Sequence, residues 1–134
     1  MTKNHLPKVV VIGGGTGVFT VLNALKDYPV HLQAIVSTAD DGGSSGVLRE
    51  EFGILPPGDI RRALIALAPD SMQSLSRLFN YRFTKGEGLR GHTFGNLFLT
   101  ALERLNGDFN TAIKEAGKIL NIKGDNMDLT ILFK

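Results

Sequence analysis

"VVVIGGGTGVFTVLNALK", Val9 to Lys26, decides the fold. Four consecutive β-branched residues predict a short strand over Lys8 to Ile12, of the kind that a parallel sheet covers on both faces. Glycines end it. From Thr16 as N-cap, Val18, Val21, Leu22 and Leu25 recur at i, i+3, i+4 and i+7, which places one apolar stripe on a helix stopping near Tyr28 and Pro29. A second strand, His31 to Val36, follows directly. The result is a strand, helix, strand unit, which crosses over right-handed if its strands are parallel neighbours.

Bulk properties narrow the function classes. A chain of 134 residues with 43% apolar content predicts one folded domain. The formal charge of +2, from 15 Lys plus Arg against 13 Asp plus Glu, argues for no nucleic-acid partner. Cysteine is absent, no apolar run reaches about 18 residues, and no basic stretch leads into an apolar core. No membrane partner and a cytoplasmic location are therefore expected.

Beyond the second strand, "STADDGGSSG", Ser37 to Gly46, is polar and glycine-rich enough to predict a loop. A short helix around Val47 to Phe52 follows, then the stiff turn "ILPPGD", from which Asp59 is expected to cap a helix running to Ala68. Pro69 ends that helix. Asp70 or Ser71 is expected to cap the next, which carries Leu75, Leu78 and Phe79, before the loop "KGEGLRGH". A stripe of Phe94, Leu97, Phe98, Leu102 and Leu105 predicts a helix up to Gly107, and Asp108 opens another with Ile113, Ala116 and Leu120. Only two strands are clear, with "LTILF", Leu129 to Phe133, as a candidate third. A doubly wound sheet has about five or six strands, so the expected class is an α/β fold with a parallel sheet left incomplete in this chain.

The glycine turn has the chemistry of an anion site. A helix N-terminus offers unpaired N–H groups and partial positive charge, and Gly13, Gly14, Gly15, Thr16 and Gly17 let a phosphate approach them. Against the dinucleotide fingerprint the match is partial, because Val18 takes the third glycine position and Val36 and Ser37 stand where an acidic residue is required. NAD is disfavoured. No Gly-Lys-Ser/Thr follows, so this is no Walker A loop, and a merely tight strand-to-helix turn stays open as the plain alternative.

Asp40 and Asp41 lie past the C-terminal end of the second strand, where open α/β sheets place ligands. Asp40 is expected to face the ligand, holding a sugar hydroxyl or Mg²⁺, while Asp41 braces the loop. Ser44 and Ser45 add hydroxyl donors, although an Asx-turn with solvated carboxylates is the alternative. In "PPGDIRRAL", Asp59, Arg61 and Arg62 cluster at one helix start, and arginine grips phosphate bidentately. "GHTFGN" sets His92, Thr93 and Asn96 around another helix start. No second histidine or cysteine stands at metal spacing from His92, and no nucleophile-elbow pattern supports a Ser-His-Asp triad.

Together, "VVVIGGGTG", "AIVSTADDGGSSGVLREEFGILPPGDIRRALIALA" and "GLRGHTFGNLFLTAL" resemble the bacterial gluconeogenesis-factor family, which is related to 2-phospho-L-lactate transferase. The similarity runs from about Lys8 to Gly124. It implies a Rossmann-like fold, with residues 1–134 as the N-terminal nucleotide-binding part of a single domain. It further implies a UDP-sugar-binding regulator of carbon metabolism, cell-wall synthesis and cell shape that performs no chemistry. The enzymatic branch of the same superfamily implies the alternative, a Mg²⁺-dependent transfer of a phospholactyl group from a guanosine diphosphate adduct to a deazaflavin alcohol. By matching motif, Gly14, Gly15, Thr16, Asp40, Asp41, Ser44, Ser45, Arg61 and Asn96 carry over as ligand contacts. No cofactor is required in the regulatory branch, Mg²⁺ at Asp40 is optional, and a homo-oligomer is compatible. Arg62 stands where the resemblance leads one to expect asparagine. The ending "KGDNMDLTILFK" departs from the family pattern, with 125–134 as a distinct tail, and relatives are expected to be more than twice this length.

Overall fold

Branched residues from Lys8 onward do form a strand, and the glycines do stop it. The computed structural model describes residues 5–14, 16–37, 43–53, 57–122 and 127–132. Strand β1 (Lys8–Gly13) pairs in parallel with β2 (His31–Ser37), Lys8 opposite His31 and Gly13 opposite Val36. Between them runs α1 (Thr16–Leu25). On the other side of β2 lies β3 (Met127–Leu132), also parallel, with Leu32 opposite Met127. The sheet order is β1-β2-β3.

The remaining helices all fall between β2 and β3. They are α2 (Gly43–Phe52), α3 (Pro57–Leu67), α4 (Gln73–Asn80), α5 (Phe94–Asn106) and α6 (Phe109–Ile119), with a 3-10 turn at Asp70–Met72. One apolar cluster joins the sheet to α1 and α3 through Leu32, Ala34 and Val36 of β2, Val18 and Leu22 of α1, and Ala63, Ala66 and Leu67 of α3. A second packs Ile60 and Leu64 of α3 against Phe79, Leu99, Ile113 and Leu120. Helix α3 is therefore the spine, buried on two sides, and it ties the sheet layer to the helical layer. Phe79 is fully buried and meets Phe98 at 5.1 Å and Phe94 edge-on at 6.1 Å, each such burial contributing about 2–3 kcal/mol.

Several expectations need correction. Strand β1 is covered on one face only: Val9 and Val11 pack on the core, while Val10 is 46% and Ile12 70% exposed. Both crossovers step across the sheet in the same direction, and right-handed crossovers of that kind lay their helices on the same face. The loop after β2 is shorter than its composition predicts, because helix α2 begins at Gly43. A tertiary bond overrides the weak helix propensity of "GSSG", Ser45 Oγ accepting from the Gly58 amide at 3.0 Å. Thr16 is the first helical residue of α1 and not its flanking cap. Asp59 lies inside the first turn of α3, which Pro57 opens, since proline's fixed φ and missing N–H suit the first helical position. Neither Asp70 nor Ser71 caps α4; both sit in the 3-10 turn, and Asp70 instead accepts from Lys26 Nζ at 3.0 Å. The third strand starts at Met127, two residues before its expected start.

The ends of α5 and α6 follow their sequence. Gly107, at φ +68, ends α5 in the left-handed conformation and donates its amide to Glu103 at 2.8 Å. Asp108 caps α6, accepting from the Thr111 amide at 2.9 Å and from the Thr111 hydroxyl at 2.6 Å. No described helix is long and apolar enough to cross a membrane.

Candidate nucleotide site

At the C-terminal end of β1, Gly13 adopts φ +155, and a Cβ there would lie 3.0 Å from Val18 Cγ2. Gly14 runs against β2, where a Cβ would stand 3.4 Å from the Ser37 carbonyl oxygen. Packing and backbone conformation explain Gly13, while a Cβ on Gly14 would make only ordinary contact with β2. Gly17 differs, because a Cβ there meets nothing within 4 Å. Its backbone at the start of α1 is open to a ligand, and so is the exposed Thr16 beside it. Gly15, Asp40 and Asp41 lie outside the described residues, as does the side chain of Ser44.

A second group of candidate residues is built on α3 and α5. Ser45, 5% exposed, spends its hydroxyl on the Gly58 amide, and a Cβ on Gly58 would come within 2.5 Å of that oxygen. It therefore caps α3 from α2. Asp59 and Arg61 are both buried, at 4% and 6% exposure. The Arg61 stem passes over the first turn of α5, where a Cβ on Gly95 would lie 2.8 Å from its Cδ. Its Nη1 donates to Thr93 Oγ1 and to Asn96 Oδ1, the latter at 3.0 Å, and its Nε has no partner among the described residues. Thr93 also caps α5, accepting from the Asn96 amide at 3.2 Å. Arg61 thus binds two neutral oxygens at the positive end of a helix.

That arrangement is electrostatically one-sided. Burial, with Arg62 and Arg82 nearby, pushes the Arg61 guanidinium down to about 10, and only Asp59 works against the shift. The group remains a cation at neutral pH. A buried cation with neutral hydrogen-bond partners, two arginines nearby and Asp59 as its acidic neighbour is suited to recognising a phosphate or carboxylate. Among the described residues no group of three or more His, Cys, Asp or Glu could hold a metal ion.

The structure brings Asp59, Arg61, Asn96 and Ser45 onto adjoining elements, and it buries His92 at 8% exposure just before the Thr93 cap. Sequence reasoning gave Thr93 no role, although a threonine before an apolar helical stripe is a capping signal. It also missed Arg82, whose Nη1 donates to the Gly91 carbonyl at 2.6 Å. That bond belongs to a tied neck between α4 and α5. There the Phe94 amide donates to Tyr81 at 2.8 Å, Phe83 to His92 at 2.9 Å and Gly91 to Phe83 at 2.8 Å. The neck fixes where α5 starts. A separate cavity of about 310 Å³, lined by Leu25, Lys26, Tyr28, Leu32, Leu67 and Asn121, opens at the other end of the sheet from the glycine turn.

Parallel strands, a glycine turn at their C-terminal ends and helices crossing on one face define a Rossmann-like α/β protein, here as part of a sheet. Comparison with known families is more specific. A sequence model of the family described as 2-phospho-L-lactate transferase CofD matches residues 9–129, and the chain belongs to that family. The chain is 55% identical over 125 residues to a putative gluconeogenesis factor of Nostoc, covering 93% of this chain and 27% of that protein. Against the gluconeogenesis factor of Bacillus subtilis it is 51% identical over 118 residues, 88% of this chain and 37% of the relative. It also matches the crystal structure of a UPF0052 family member from Bacillus halodurans, with TM-score 0.85 and 46% identity over 93% of this chain and 39% of that one. The chain thus spans between a quarter and two-fifths of the relatives it matches.

Proposed function

We propose that this chain is the N-terminal, nucleotide-binding part of a cytoplasmic regulator that binds a UDP-sugar and acts in carbon metabolism and cell-wall synthesis. The glycine turn, Gly13 to Gly17, takes the diphosphate, Asp40 takes a sugar hydroxyl or Mg²⁺, and the Arg61 cluster balances the ligand's charge. One observation carries the anionic ligand: a 6%-exposed arginine whose hydrogen-bond partners among the described residues are the neutral oxygens of Thr93 and Asn96, at the positive end of α5. The regulatory role is supported by relatives that bear the name gluconeogenesis factor. Thermal unfolding with UDP-N-acetylglucosamine, GDP with and without Mg²⁺, and NAD tests it. A ligand at 100 times its Kd adds roughly 2.7 kcal/mol, a clear rise in midpoint. A rise with the UDP-sugar alone is expected; no rise with it, in a cooperatively folded sample, refutes the assignment. Asp40→Ala should weaken binding more than Asp41→Ala, and equal effects would undo the Asp40 role.

The family description favours a second reading, a phospholactyl transferase in which Asp40 holds Mg²⁺ and Arg61 offsets charge as the phosphoryl group moves. The deazaflavin alcohol oxygen would attack the phosphorus bearing the lactyl group, the phosphoanhydride bond would break, and GMP would leave. Release of GMP from the guanosine adduct in the presence of deazaflavin alcohol is the expected signal, and none from a folded sample excludes it.

A further inference from the structure

Three helices end at one cavity. The opening of about 310 Å³ at the far end of the sheet from the glycine turn is lined by Leu25, the last residue of α1, by Leu67, the last of α3, and by Asn121, just past α6, with Leu32 of β2 as a further apolar wall. A helix carries partial negative charge at its C-terminal end, so three such ends give the opening a negative field. One cation already stands there. Lys26 Nζ donates to the Ala68 carbonyl at 3.1 Å and to Asp70 at 3.0 Å, so its charge is spent on the end of α3 and on one carboxylate. Asp27 also lines the cavity, and its carboxylate has no partner among the described residues.

Walls, charge and rim together define the guest. Leu32 and Leu67 are 2% and 3% exposed, and with Leu25 they suit a hydrocarbon body. Asp27 and the helix ends suit a positive charge. Tyr28, 64% exposed, sets an aromatic ring at the rim, and the face of such a ring attracts cations. The volume stands at the lower end of ligand pockets, about 300–1,000 Å³, which leaves room for one ring or a short chain. We propose that this cavity is a second ligand site, which takes a small amphipathic cation, a protonated amine on an apolar body. An anionic guest meets the negative field with the nearby ammonium already doubly engaged, and an uncharged guest gains nothing from Asp27. The site shares no residue with the phosphate-binding reading and does not rest on it.

The test titrates the full 134-residue chain with phenethylamine at neutral pH, with no nucleotide present, and follows methyl and amide signals by NMR. Saturable shifts at Leu25, Leu32 and Leu67 are expected. Phenylacetate and 2-phenylethanol keep the ring and change the charge, and both should bind at least about tenfold more weakly. Asp27→Asn should weaken the amine at least about threefold and leave the alcohol where it was. Ser71→Trp, at an exposed position on the lining, should block the amine by filling the mouth. Equal binding of the three probes would reduce the cavity to an apolar hole and overturn the proposal. Preference for phenylacetate would hand recognition to Lys26 and overturn it too. So would amine binding that ignores Asp27→Asn or Ser71→Trp, or the absence of any shift at the three leucines. Failure of every nucleotide to bind in separate titrations would leave these outcomes untouched.

Discussion

Gly95→Ala turns the geometry of α5 into a number. The added Cβ would stand 2.7 Å from the Phe79 carbonyl oxygen, 2.8 Å from Arg61 Cδ and 2.9 Å from Arg61 Cγ, where ordinary contact begins at 3.4 Å. The carbonyl ends α4 and the arginine stem is buried, so neither swings away freely. Overpacking of this kind costs about 1–3 kcal/mol, while alanine returns at most about 1 kcal/mol of helix propensity at a first-turn position. A net loss of about 1–2 kcal/mol should lower Tm by roughly 3–8 °C in a domain of this size. Gly117→Ala supplies the opposite sign: inside α6, a Cβ there meets nothing within 4 Å, and a gain of up to about 1 kcal/mol is expected. The assay is thermal unfolding by circular dichroism on both variants. Gly95→Ala as stable as the parent would show that α5 does not rest on Phe79 and Arg61 as described.

Arg61→Met should destabilise the fold by about 1–3 kcal/mol, since Thr93 Oγ1 and Asn96 Oδ1 lose a buried donor. It should also weaken UDP-N-acetylglucosamine binding by calorimetry, whereas unchanged affinity would separate Arg61 from the ligand. Asp108 caps α6 with its carboxyl held below the ordinary value of 3.8 by the Thr111 hydroxyl and amide. A depressed carboxyl contributes stability above its unfolded pKa and loses it as pH falls through the folded value. Urea unfolding below about pH 4 should therefore show a shallower pH dependence in Asp108→Asn than in the parent, and identical slopes would refute the cap's role.

Much of the fold was legible because local physics and tertiary packing agreed. Val18, Leu22 and Leu25 announced α1, Gly107 and Asp108 marked the junction of α5 and α6, and the glycine turn placed the strand ends. What failed was non-local. "GSSG" reads as loop until Ser45 finds the Gly58 amide across 13 residues. Asp59 reads as a cap until Pro57 takes the first helical position, and β1 reads as doubly covered until Val10 and Ile12 stand exposed on the face away from the core. In the site, Arg61 and Asn96 were named as neighbours of a ligand. That they are bonded to each other, 35 residues apart, depends on how α3 crosses α5, and no spacing rule carries that information.

The tied neck between α4 and α5 separates two kinds of continuity. Its bonds join Tyr81 to Phe94 and Phe83 to both Gly91 and His92, so the start of α5 is anchored by cross-links that do not run through the tip. The tip from Thr84 to Arg90 is exposed and carries Lys85 and Arg90, two trypsin sites. A nick at Lys85 would thus cut the covalent path while Phe79, Phe94 and Phe98 keep both pieces stacked. An epitope or dye-binding peptide spliced between Glu87 and Gly88 would ride on a stalk, reporting on the protein without disturbing the residues that hold Thr93 and Asn96.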